Sequence, residues 1–353
     1  MVMSRFWKYL VLALLLVGLV IPTVFVVTGC GSDNTTTTTV EKTATVDNST
    51  ALAERANEVL AADKGDYPGN SIKGTDLATI LADSAKADTV FVLDVRAAKD
   101  YEAGHIKGAE NVPFAEWAAP DNLDTLPKDK IIVVVCYTGH TAAEVVGGLR
   151  MLGYDAIALR GGMMGWTQGG NNQKVADSLL AAANPTVNTA AEPSQKSSPS
   201  GPLNQPSDAL YETIAGVANT DMSSMPTSGD FAFNVITAAN LAPKLADPAQ
   251  KEELFLLDIR LAEDYEKVGH IEGATNIPFA DVAVPENLDR LPKDKKIIVI
   301  CYTGNTAAQA TMILRILGYD ASVLKFGSMG WTVTPNTQGY VDYITSSNQP
   351  VVQ

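Results

Sequence analysis

The sequence predicts an α/β protein of two tandem domains, each a parallel β-sheet covered by helices on both faces. Three observations carry that expectation. The chain of 353 residues is too long for one ordinary domain, and its 46% apolar content is enough for two cores. One half repeats in the other at a spacing of about 165 residues, far longer than a solenoid unit. Within each copy, short unbroken runs of β-branched and aliphatic residues alternate with helical patterns. A strand buried on both sides has no polar face, so such runs indicate a parallel sheet rather than a half-exposed one.

The repeat defines the elements. Val90-Phe91-Val92-Leu93-Asp94-Val95-Arg96 matches Leu254-Phe255-Leu256-Leu257-Asp258-Ile259-Arg260. Gly104-His105-Ile106 returns as Gly269-His270-Ile271 after a one-residue insertion near Val268, and Asn111-Val112-Pro113-Phe114 as Asn276-Ile277-Pro278-Phe279. Both copies end on Met-Gly-Trp-Thr, at Met164 and Met329. In the first copy, residues 77–81 read as helix, 90–95 as strand, 131–135 as strand, 142–152 as helix and 156–159 as a last strand. Upstream, Leu52, Ala56, Val59 and Leu60 have helical spacing. The domains are placed at 49–170 and 208–335, with a Pro/Ser-rich linker at 171–207 and a tail at 336–353. Whether the domains pack together is left open at this level.

Net charge is −14 and the isoelectric point about 4.6, which speaks against nucleic-acid binding. Three cysteines without a C-x-x-C or a Cys/His cluster signal neither a disulfide framework nor a metal site, and no cofactor is called for. At the N-terminus, Arg5 and Lys8 precede an apolar run at 9–27 that ends Thr28-Gly29-Cys30. A basic start, an apolar stretch and small residues at its exit read as an export signal over residues 1–30. The ending resembles a bacterial lipobox, which implies lipidation at Cys30 and an extracytoplasmic, membrane-anchored protein; an uncleaved membrane-spanning anchor is the other reading. Residues 31–48, threonine-rich, would form a disordered tether.

The chemistry is expected where the central apolar run of each copy ends. Ile131–Val135 leads into Cys136-Tyr137-Thr138-Gly139-His140-Thr141, and residues 297–300 into Cys301-Tyr302-Thr303-Gly304-Asn305-Thr306. A cysteine between a strand end and a helix start faces loop amides and the positive end of the helix dipole, which favour a thiolate. The loop is a small cup of N–H groups suited to an anion or to extra sulfur on the cysteine. Gly139 and Gly304 supply the positive φ of the turn. Thr141 and Thr306 are candidates for an added donor or a helix cap.

Taken together, Asp-Val-Arg, Gly-His-Ile-x-Gly-Ala-x-Asn-(Val/Ile)-Pro, Cys-x-x-Gly-x-Thr and the closing Gly-Trp resemble the rhodanese sulfurtransferase family over residues 70–168 and 234–333. The resemblance implies two tandem rhodanese-like domains. It also implies transfer of sulfane sulfur from a small donor such as thiosulfate, through a persulfide on Cys136 or Cys301, to cyanide or another thiophilic acceptor, a protein acceptor included. The residues 137–141 and 302–306 would hold the persulfide. Phosphatases of the same fold carry an arginine six residues after the cysteine; Ala142 and Ala307 stand there, with nothing to clamp a phosphoryl group. A persulfide carrier with little turnover, and a non-catalytic interaction module with an inter-domain disulfide, are the competing readings.

Four further expectations concern the surroundings. Arg96 and Arg260 either draw in an anion or, with Asp94, Asp258, His105 and His270, fix a turn as a buried polar network. Trp166 and Trp331 are packing residues. Only the first loop has a histidine, so the first site is expected to gain donor affinity as pH falls. Phe326, in place of a glycine, is expected to narrow the second site.

Overall fold

The computed structural model describes residues 48–62, 65–169, 171–197 and 203–353, all in one compact unit. The stretch read as an export signal, Cys30, the stretch read as a tether up to residue 47, and residues 198–202 of the expected linker lie outside the described residues. Among the described residues no helix is long and apolar enough to cross a membrane.

Two five-stranded parallel sheets form. In the first, β1 (Ser71–Ile72), β2 (Val90–Asp94), β3 (Glu110–Asn111), β4 (Ile131–Val135) and β5 (Ala156–Leu159) are arranged β1-β5-β4-β2-β3. In the second, β6 (Val235–Ile236), β7 (Leu254–Asp258), β8 (Thr275–Asn276), β9 (Lys296–Ile300) and β10 (Ala321–Leu324) repeat that order. The two-residue edge strands have too little pattern to be legible in the sequence.

Alternation along the strands separates three apolar layers. Ile132, Val134 and Cys136 face one side of the first sheet with Leu93 and Ala158, while Val133, Val135, Val92 and Ile157 face the other. The second sheet does the same, with Ile297, Val299 and Cys301 inward and Ile298 and Ile300 outward. The inward faces of both sheets belong to one continuous core, so the unbroken apolar runs follow from burial on both sides.

The helices that matter are α1 (Asn48–Ala61), α2 (Gly74–Ala82), α3 (Ala98–Ala103), α4 (His140–Met151), α5 (Asn172–Leu180), α6 (Asp208–Ser224), α7 (Ala238–Ala246), α8 (Ala262–Val268), α9 (Asn305–Ile316) and α10 (Thr337–Ser346). Helix α4 packs directly on α9, between the sheets. Gly147 permits this, since a Cβ there would lie 2.5 Å from the Gln309 carbonyl oxygen; the next residue, Gly148, makes room for Trp117 of its own repeat, whose ring would lie 2.2 Å from a Cβ. Two hydrogen bonds related by the repeat cross the interface. Asn70 Nδ2 donates to Gln309 Oε1 (2.7 Å), and its counterpart Asn234 Nδ2 donates to Glu144 Oε2 (3.1 Å). The domains therefore pack together, which the sequence had left open.

The segments read as linker and tail hold the repeats in place. After α5, Asn184 N donates to Trp331 O (3.0 Å), Trp331 Nε1 donates to Pro185 O (2.9 Å), and Val187 pairs antiparallel with His270. After α10, Gln349 N donates to Trp166 O (2.7 Å), Trp166 Nε1 donates to Pro350 O (2.8 Å), and Val352 pairs with His105. Each repeat thus ends in an arm laid on the other repeat, and α5 and α10 pack together between them. Helix α6 bridges both: Tyr211 meets Tyr154 of the first repeat, and Asp221 pairs with Arg315 of the second at 2.6 Å.

Candidate active site

Cys136 and Cys301 each follow the central strand of a sheet, at its carboxyl end, where parallel α/β sheets present their ligands. The local backbone explains the cup. Gly139 and Gly304 take φ of +91° and +85° and serve as N-caps of α4 and α9, with no side-chain cap. Thr141 and Thr306 therefore do not cap the helices. The left-handed turn points the Gly139 N–H at Cys136 Sγ (3.1 Å); in the second loop the N–H groups of Gly304 (3.1 Å) and Ala307 (3.4 Å) both reach Cys301 Sγ. At the position where a phosphate-binding arginine would stand, the second loop offers a backbone donor to sulfur.

Each loop is held from beneath by the turn after the last strand. Met163 N donates to Cys136 O and Ser328 N to Cys301 O, both at 2.7 Å. This approach needs glycine: a Cβ on Gly162 would lie 2.3 Å from Cys136 O, and one on Gly327 would lie 2.1 Å from Cys301 O.

Arg96 and Arg260 are bound up in a buried network. Arg96 Nη2 lies 2.7 Å from Asp94 Oδ2 and 2.8 Å from the Gly104 carbonyl oxygen; Arg260 Nη2 makes the same contacts with Asp258 (2.6 Å) and Gly269 (2.8 Å). Asn111 and Asn276 close the turn by donating to the carbonyls on either side. The guanidinium groups then lie over the rings of Tyr137 (5.7 Å) and Tyr302 (5.2 Å), the residues after each cysteine. Tyr137 donates to Asp100, and Tyr302 is hydrogen-bonded to Asp264. Burial, reinforced by Asp264, pushes the Tyr302 phenol up to about 12, so it stays a neutral donor.

The two loops meet across the domain interface. His140 is buried, accepts the Phe326 N–H at Nε2 (2.8 Å) and holds Thr138 Oγ1 at Nδ1 (2.9 Å). Its ring stands edge-on to Phe326, 4.9 Å between centroids. An Nε2 that accepts leaves the proton on Nδ1, so the ring is neutral. Burial, and next to it the Lys325 cation, push His140 down to about 3. The expected rise in donor affinity through the histidine range is therefore overturned. Phe326 is also displaced from its expected role: it faces this interface, buried, instead of narrowing the second site. Opposite, Asn305 Nδ2 donates to the Gly69 carbonyl oxygen (2.8 Å), while Thr303 Oγ1 receives the Asn305 N–H (3.4 Å).

A cavity of about 830 Å³ opens between the repeats. Cys301, Tyr302 and Thr303 line it from the second loop, Thr138, Gly139 and His140 from the first. Cys136 does not reach its wall. Sequence reading assigned no role to Arg160 after β5, which lines this cavity, or to Lys325 after β10, which lies beside Phe326. The signal available was a basic residue at the same place in both copies.

The Rhodanese-like domain family matches residues 77–169 and 241–334, more than half of the chain, and the chain belongs to that family. Within it, the chain is a tandem member with a cysteine loop in both domains. Its relatives include sulfurtransferases. It is 32% identical over 78 residues to the probable adenylyltransferase/sulfurtransferase MoeZ of Mycobacterium tuberculosis (strain ATCC 25618 / H37Rv), a match over 22% of this chain and only 20% of that protein. It is 30% identical over 87 residues to the putative sulfurtransferase YtwF of Bacillus subtilis (strain 168), over 24% of this chain and 82% of YtwF. A crystal structure of a rhodanese-like domain protein from Staphylococcus aureus is 34% identical over 29% of this chain and 94% of its own, with a TM-score of 0.26.

Proposed function

We propose that the protein moves sulfane sulfur from an anionic donor such as thiosulfate to a thiophilic acceptor, by way of persulfides on Cys136 and Cys301. The observation that carries this reading is the pair of loops whose amides converge on sulfur, with alanine where a phosphate clamp would sit. In the first half-reaction the cysteine thiolate attacks the outer sulfur of thiosulfate. A Cys–S bond forms, the S–S bond of the donor breaks, and sulfite leaves with the electron pair. In the second, cyanide or an acceptor thiolate attacks the outer sulfur of the persulfide. That S–S bond breaks, and the electron pair returns to the cysteine as thiolate. The loop N–H groups that reach the cysteine sulfur stabilise the thiolate that attacks and is later regenerated, so no separate general base is needed.

The test is release of sulfite and thiocyanate by protein starting after Cys30, comparing wild type, Cys136→Ser, Cys301→Ser and the double variant. Both products should form with wild type and vanish with the double variant; turnover surviving in the double variant would remove the central claim. We also propose that Cys30 anchors the protein outside the cytoplasm through lipid. Detergent-phase partition of the full chain should be lost in Cys30→Ser, and unchanged partition would point to an apolar anchor instead.

A further inference from the structure

Arg160 lines the same cavity as Cys301, although it belongs to the first repeat. Its backbone is fixed where it leaves β5: Arg160 N donates to Ile72 O (2.8 Å), and Tyr343 Oη donates to Arg160 O (2.9 Å). Its guanidinium makes one long hydrogen bond, from Nη2 to Ser71 Oγ at 3.3 Å, and among the described residues no carboxylate pairs with it. Asp66 and Asp76 line an adjoining hollow beside it without forming an ion pair.

The segment that holds Arg160 is also the one on which the second loop rests. Gly69, two residues from Ser71, accepts hydrogen bonds from Asn305 and Gln309 and abuts Thr306, where a Cβ would meet Cγ2 at 3.4 Å. The remaining charges of the cavity are differently placed. Lys73 is exposed, Arg260 is ion-paired with Asp258, and Asp264 is hydrogen-bonded to Tyr302.

Lys325 stands at the corresponding place of the second repeat, after β10; its Nζ lies 5.7 Å from the centroid of the Phe326 ring, which in turn meets His140 of the first loop edge-on at 4.9 Å. The N–H of the next residue, Phe326, is the one that His140 accepts. Burial lowers the Lys325 ammonium, and the field of Cys136 acts against that.

We propose that the two sulfur sites are charged crosswise: Arg160 of the first repeat holds the anionic head of the sulfur donor before Cys301, and Lys325 of the second repeat holds it before Cys136. The proposal rests on the sulfur-transfer reading. A planar guanidinium can take two sulfonate oxygens at once, whereas an ammonium acts as a point charge, so the two sites bind the same dianion with different geometry. Each domain then supplies the nucleophile of one site and the cation of the other.

The experiment uses the two single-cysteine proteins, Cys136→Ser and Cys301→Ser, each combined with Arg160→Gln, Arg160→Lys or Lys325→Gln. Two quantities are read: the KM for thiosulfate, and the sulfate concentration that half-protects the remaining cysteine from iodoacetamide. The alkylation rate without sulfate reports that the loop is intact. Arg160→Gln should raise both quantities about tenfold in the protein that keeps Cys301, and much less in the one that keeps Cys136. Lys325→Gln should do the reverse, and Arg160→Lys should recover part of the loss. A larger effect on the cysteine of the same repeat, or unchanged sulfate protection at both, overturns the crossing. Absence of turnover in both single-cysteine proteins would instead overturn the sulfur-transfer reading, and sulfate protection would still decide the crossing.

Discussion

The two cysteine loops have nearly the same backbone and opposite surroundings. Around Cys136 the loop is plugged: His140 is driven into the second repeat, and the cysteine is 1% exposed. Around Cys301 the equivalent residue, Asn305, turns outward to the Gly69 carbonyl, a second amide reaches the sulfur, and the cysteine opens on the cavity at 5% exposure. A two-fold pairing of identical loops could keep both sites alike even though each is part of the other's wall; here the two loops differ in sequence, and so do their surroundings. The residue after the central glycine decides which loop is plug and which is pocket.

This comparison predicts unequal activity. Cys301→Ser should remove at least about nine-tenths of thiosulfate turnover, since a tenfold difference needs only ~1.4 kcal/mol between the two barriers. Cys136→Ser should remove less than half. Equal losses in a sulfite-release assay would mean that plug and pocket exchange roles in solution. At the second site, Gly327→Ala should displace the Cys301 carbonyl, which a Cβ would approach to 2.1 Å. A misplacement of about 1 Å costs about a hundredfold in rate at that site, while Gly162→Ala should leave most of the measured turnover in place.

Much of this was legible beforehand. The unbroken runs at Ile131–Val135 and 297–300 disclosed sheets buried on both faces, and the motifs around the two cysteine loops disclosed the rhodanese-like family. The interface was not legible, because its contacts join residues far apart in sequence that follow no local period. Asn184-Pro185-x-Val187 and Gln349-Pro350-x-Val352 do keep the repeat spacing, yet nothing in them says which Trp they dock on. His140 misled for the same reason: a histidine in a loop looks titratable until Phe326 arrives from the other repeat.

A second asymmetry concerns stability. Glu144 and Gln309 occupy equivalent positions and accept equivalent hydrogen bonds from Asn234 and Asn70. Burial pushes the Glu144 carboxyl up to about 8, against a smaller opposing effect of the Asn234 hydrogen bond. A raised folded value means the stabilising proton is bound fully below the ordinary range near 4.5 and lost as pH rises through 8. Glu144→Gln should therefore match wild type near pH 4 and exceed it by on the order of 3 kcal/mol at pH 7, in denaturant melts. A smaller effect is expected at the arm. Removing residues 349–353 leaves the indole N–H of Trp166 and the amide of His105 without their partners, at a cost of roughly 1–3 kcal/mol.

At neutral pH the smallest effect is expected at His140, and it tests the plug itself. Its folded value lies near 3 against an ordinary 6.5, so the folded state stays neutral while the unfolded chain takes up a proton. Stability is then unaffected above about pH 6.5, falls as pH drops below it, and levels off once pH passes below 3. Across the neutral range the ring carries no charge, and the Cys301→Ser protein should show no step in KM for thiosulfate between pH 6 and 8. The imidazole C–H signals of His140, followed by NMR, should not move until the acid limb. A titration near 6.5 would show that the ring leaves the Phe326 amide and that the first loop opens. Cys136 would then be a pocket as well, and the asymmetry between the two sites would rest on Arg160 and Lys325 alone.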